Sequence, residues 1–204
     1  LFVVFGIKAA MLPVGFWLPK TYAVAATPVA AFFTIMTKVG IYAILRINGT
    51  VFDDPLSHSI LAPWLLTIGL ITSLYGAIAA LGAERLRRFV GFMILSSVGT
   101  ILVAIAMLNP QAWAGALYYM LHSTLIAAAL YLMGGWITSQ RGEFKDHLKV
   151  APQIKQQKVA SITFFIIALM MAGLPPFSGF LCKVFILQST AGHAYQAWII
   201  STLL

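Results

Sequence analysis

The stretch Met171–Lys183, MAGLPPFSGFLCK, sets the architecture of the chain. It interrupts an otherwise apolar run, Ala160 to Gln188, with Gly173, two consecutive prolines, Ser178 and Gly179, and then a lysine. Pro175 and Pro176 withhold two backbone donors and crowd the preceding turn, so a helix entering here breaks near Gly173. Broken backbone survives at membrane depth only where it is buried in protein or lines a wet cavity. Roughly 10 Å farther along a helix lies Lys183, whose charge is costly in hydrocarbon and marks a functional position.

Working outward, the composition agrees with a chain that lives in lipid. Hydrophobic residues make up 61% and charged residues 9%, with a mean hydropathy of +0.94, far from the roughly one-quarter charged share of soluble domains. The chain is therefore an all-α polytopic membrane protein. At about 20 residues per crossing, its 204 residues allow six transmembrane helices plus the start of a seventh. The formal charge of +8 sits in membrane-flanking loops and reads as a topology signal, with no nucleic acid implied. The single cysteine, Cys182, excludes an internal disulfide. CxxC, HExxH, GxGxxG, P-loop and nucleophile-elbow patterns are all missing, so a non-enzymatic protein without metal or cofactor is expected. Residue 1 is Leu inside an apolar run and the chain stops in another, which points to a fragment of a longer protein cut at both ends, residues 1–204 forming a single transmembrane unit.

In chain order, Leu1–Leu18 pairs Lys8 with a break at Pro13 and Gly15, and Pro19 is expected to end it. Thr27, with Pro28 behind it, starts a second segment running to about Ile47, with Lys38 near its middle. Asn48–Ala62 has the composition of a turn, and Pro63–Gly82 forms the next apolar segment. Val90–Leu108 carries Ser96, Ser97 and Thr100, hydroxyls suited to a polar lining. Asn109 and Pro110 form a tight turn before Trp113–Ile137, which holds His122. The polar connection 139–158 leads into the broken helix, and Tyr195–Leu204 opens a further segment. Trp17, Trp64, Trp113, Trp136 and Trp198 stand at segment ends, as interfacial anchors should. Lys20, Arg85, Arg87, Arg88, Arg141, Lys145, Lys149, Lys155 and Lys158 fall on one side of this topology and only Arg46 on the other, so loops 83–89 and 139–158 are expected to be cytoplasmic.

Four titratable groups remain inside apolar segments: Lys8, Lys38, His122 and Lys183. Amines stripped of water give up protons more readily, and a series of such groups along a hydrated axis is how proton relays are built. Three have a bland alternative, and mid-helix Lys38 leaves few. Lys8 and Lys183 can snorkel toward an interface, and His122 can simply bond a neighbouring hydroxyl. His58 and His147 read as solvated loop residues, and His193 as at most an exit marker. The prolines can be mere packing devices, although a break and a lysine coincide twice, as in the paired broken helices of inverted-repeat transporters.

Four stretches carry a resemblance: residues 7–46 (IKAAMLPVGFWLPKTYAVAATPVAAFFTIMTKVGIYAILR), 84–99 (ERLRRFVGFMILSSVG), 120–131 (MLHSTLIAAALY) and 172–187 (AGLPPFSGFLCKVFIL). They resemble the antiporter-like subunits shared by Mrp (Pha, Mnh) multisubunit cation/proton antiporters and the membrane arm of respiratory complex I, with details nearest to the D-type subunits of the Mrp systems. The resemblance implies about fourteen helices with two inverted five-helix units, this chain holding most of the second. It implies that Lys8 modulates an upstream acidic partner, that Lys38 receives the proton, that His122 bridges, and that Lys183 exchanges it toward one surface. Some complex I relatives have a further lysine one turn after the histidine; here that position is Ile126. The expectation is thus a subunit of a bacterial inner-membrane antiporter exchanging protons for Na⁺ or another monovalent cation beside sister subunits. The alternatives are a proton-pumping subunit of a complex I-like or hydrogenase machine, and a structural subunit with a vestigial relay.

Overall fold

The computed structural model describes residues 2–51, 54–150 and 154–190. The expected seventh segment, with His193 and Trp198, lies outside these. Among the described residues the chain is helical: α1 (Phe2–Ala9), α2 (Trp17–Val24), α3 (Thr27–Thr50), α4 (Pro55–Leu81), α5 (Leu86–Ala106), α6 (Pro110–Arg141), a 3₁₀ turn (Gly142–Phe144), α7 (Gln157–Ala172) and α8 (Ser178–Ser189). Helices α3 to α6 are each long and apolar enough to cross a membrane. The pairs α1/α2 and α7/α8 are shorter helices separated by breaks, one at residues 10–16 and the other at 173–177.

Helix α5 is the hub, packed by α2, α3, α4 and α6. It is apolar all round, and nearly its whole length from Val90 to Ala106 is buried, as a helix enclosed by others should be. Its approach to α4 is unusually close. A Cβ on Gly99 would stand 2.3 Å from the Ser73 nitrogen, and one on Gly76 would stand 2.4 Å from the Ser96 nitrogen. Small residues permit this because helices in lipid associate through close packing.

Several expected boundaries move. Asn48 lies within α3, wholly buried, α3 runs on to Thr50, and α4 already opens at Pro55. Pro55 fits the first turn of a helix because its missing N–H has no partner there anyway, so α4 starts eight residues early and carries Pro63 inside it. His58 consequently belongs to α4. Pro19 does not end a helix but sits in the first turn of α2, for the same reason. Asn109 caps α6, its Oδ1 accepting from the Gln111 N–H at 2.8 Å.

The basic loops gather at one end of the bundle. The Leu86 N–H donates to the Asp146 carbonyl and the Leu148 N–H to the Glu84 carbonyl, both at 2.9 Å, so the α4–α5 turn and the α6–α7 connection are stitched together. Arg141 Nη1 donates to the His147 carbonyl at 3.0 Å. Arg87 donates through Nη2 to the Ala25 carbonyl, capping the end of α2. His147 is not the solvated loop residue expected: this stitching shuts its Nδ1 away from water, with no partner among the described residues.

Candidate functional site

The two breaks position the site. At Gly173 the backbone turns left-handed, with φ +74°, where a side chain would be strained, and α7 ends. The Gly173 N–H bonds the Leu169 and Met170 carbonyls, while the Ala172 carbonyl accepts instead from Lys183 Nζ at 2.9 Å. Lys183 thus folds back over the break and caps the negative end of α7. Its side chain is half-buried.

His122, 7% exposed, faces the same break from α6. Its Nε2 lies 3.1 Å from the Met170 carbonyl, and its Nδ1 lies 2.8 Å from Ser178 Oγ. The ring therefore joins the end of α7 to the start of α8. The Tyr119 ring stacks on it with centroids 6.3 Å apart. Gly179 makes room for this arrangement, since a Cβ there would stand 2.7 Å from Nε2.

Lys38 is 4% exposed, midway along α3. Its ammonium donates to Ser97 Oγ at 2.6 Å, and Ser97 donates on to the Ile94 carbonyl at 2.7 Å. Ser97 also lines a cavity of about 260 Å³, with room for several waters at roughly 30 Å³ each. Ser96, Thr100, Ser73 and Ser123 supply its hydroxyls, and it runs to His122 and Lys183. Lys38, through Ser97, thus reaches the cavity that His122 and Lys183 line. Lys8 does not join them: it stands at the end of α1 on the outer face of the described bundle and does not line the cavity.

Around the first break, Pro13 and Gly15 lie in the irregular stretch between α1 and α2. Thr72 of α4 reaches in, its Oγ1 accepting from the buried Leu12 N–H at 3.1 Å. Trp17 spans the break from its indole N–H to the Ile7 carbonyl at 3.2 Å. Thr72, Ser73, Tyr119, Ser123 and the role of Ser178 are not assigned by the sequence. Their only signal there is polarity within apolar runs, and the register needed to aim them inward is a property of the packed helices. The described residues contain no cluster of three metal-binding side chains.

A family model described as NADH:quinone oxidoreductase/Mrp antiporter, transmembrane, matches residues 1–204. The D subunit of the Na(+)/H(+) antiporter of Bacillus subtilis is 35% identical, the match taking in 100% of this chain and 41% of that protein. The D subunit of a probable K(+)/H(+) antiporter of Rhizobium meliloti is 35% identical over 89% of this chain and 37% of its own length. The chain thus spans about two-fifths of the curated relatives it matches. Among solved structures, a chain of the Mrp complex from Dietzia superposes with a TM-score of 0.89 at 30% identity, covering 99% of this chain and 38% of that one. A chain of respiratory complex I from Thermus thermophilus gives 0.86 at 23% identity, covering 98% and 43%.

Proposed function

The chain belongs to the transmembrane NADH:quinone oxidoreductase/Mrp antiporter family, and on that basis we propose that it works in a multisubunit antiporter of the bacterial cell membrane as a D-type subunit, exchanging protons for Na⁺ or another monovalent cation beside sister subunits. The observation that carries this reading is the cavity lined by His122, Lys183 and a row of hydroxyls, which Lys38 reaches through Ser97. Intramembrane amines and an imidazole around a space with room for water form a proton path. Lys38 receives the proton, His122 bridges, and Lys183 exchanges it beside the second break. Lys8, facing outward from α1, serves as the contact to an acidic partner outside this stretch of chain. The end bearing Arg85, Arg87, Arg88 and Arg141 faces the cytoplasm, loops 83–89 and 139–158 included.

Lys38→Ala, introduced into the full-length subunit and assayed in everted vesicles, is expected to abolish cation/proton exchange while the complex still assembles. Wild-type exchange in that variant removes Lys38 from the path. A redox-driven pump is the second reading, because respiratory subunits share the fold. Antiport is favoured by the relatives named antiporter subunits at 35% identity. Exchange driven by an imposed pH gradient, with no electron donor added, separates the two.

A further inference from the structure

His122 is held at both ring nitrogens, and its two partners are chemically unequal. The Met170 carbonyl, 3.1 Å from Nε2, can only accept, so Nε2 carries a hydrogen in the neutral ring and in the charged one alike. Ser178 Oγ, 2.8 Å from Nδ1, can donate or accept. When the ring is neutral, the Ser178 hydroxyl donates to the Nδ1 lone pair. When the ring is charged, Nδ1–H donates to the hydroxyl oxygen and the hydroxyl must turn. The basic atom of His122 is therefore Nδ1, and it faces Ser178. Ser178 lies at the first turn of α8, half-buried, and is not among the residues lining the cavity.

We propose that Ser178 is the positioning and relay hydroxyl of His122, so that the ring takes up and returns its proton at Nδ1 through Ser178 Oγ; this deepens the relay reading of His122 and rests on it. In the step, the Ser178 O–H bond breaks as its hydrogen passes to Nδ1, and a proton delivered by water restores the hydroxyl. One proton moves from water to the imidazole, and nothing is oxidised or reduced. Gly179 keeps Nε2 on the Met170 carbonyl, since a Cβ there would stand 2.7 Å from Nε2 and 2.8 Å from that oxygen. The titratable groups around the ring are Tyr119 on α6 and Lys183 on α8, with Cys182 near Tyr119 and Lys38 on α3 across the cavity through Ser97. The cavity lining contributed by α4 and α5 holds no titratable side chain, and from α7 the ring meets the Met170 carbonyl.

The test uses the assembled complex with full-length subunit: exchange in everted vesicles, and ¹⁵N magnetic resonance of the His122 ring, identified by its loss in His122→Gln. Ser178→Ala is expected to lower exchange on the order of tenfold or more, as loss of one proton-transfer partner does, to move the Nδ1 resonance toward that of an unbonded imidazole nitrogen, and to leave Nε2 protonated. Ser178→Thr, which keeps the hydroxyl, restores both. Gly179→Ala, which pushes Nε2 off Met170, gives a mixture of ring tautomers. An unmoved Nδ1 resonance or wild-type exchange in Ser178→Ala overturns the proposal. Wild-type exchange in His122→Gln overturns the relay reading beneath it and with it the proton-carrying step, while the Nδ1 shift still decides whether Ser178 holds the ring.

Discussion

Among residues, Lys38 and Lys8 make the sharpest comparison. Both are lysines in apolar helices, yet only Lys38 is enclosed, because the α3 face that carries it also carries Thr34, Ile41 and Leu45 into contact with α5 and α6. Burial of an ammonium makes its one side-chain acceptor matter. Ser97→Ala removes the acceptor at 2.6 Å and is expected to cost about 1.5–3 kcal/mol, the usual worth of a hydrogen bond to a charged group, read as a lower unfolding midpoint of the purified complex with slowed exchange. Thr72→Val is expected to cost about 1–3 kcal/mol by orphaning the buried Leu12 N–H, checked by thermal unfolding. The lysines themselves were legible from charge in an apolar run. Their partners were not, because a serine half a turn round its helix would face a different neighbour.

At the level of secondary structure, the breaks were readable and the helix ends were not. Gly173 with Pro175 and Pro176 stops α7 by covalent geometry, whatever surrounds it. Pro19, Pro55 and Pro63 carry the same local signal with a different outcome: two sit in first turns, where a missing N–H costs nothing, and the third is carried inside α4. The pairing of α4 with α5 depends on absent side chains. Gly99→Ala places a Cβ against the Ser73 backbone, which cannot swing aside as a side-chain tip would. It is expected to cost about 1–3 kcal/mol, the range for overpacking, and Gly99→Leu to prevent stable accumulation; immunoblots of membranes and thermal unfolding read both.

For the bundle taken together, the stitched basic end gives a sidedness test. Cys182 is buried, so the native chain has a low labelling background in its described part. Glu143→Cys, on the exposed 3₁₀ turn, is expected to react with a membrane-impermeant maleimide in everted vesicles and not in intact cells; the reverse would invert the assigned topology. The membrane setting, the crossings, the two breaks and the four candidate proton carriers are written in the residues themselves, because hydropathy, proline geometry and the cost of charge in hydrocarbon act locally and need no neighbour. Which of those carriers share a space emerges from the packing. The cavity is bounded by five different helices, and its existence depends on how far apart they stand, a distance that no single helix encodes.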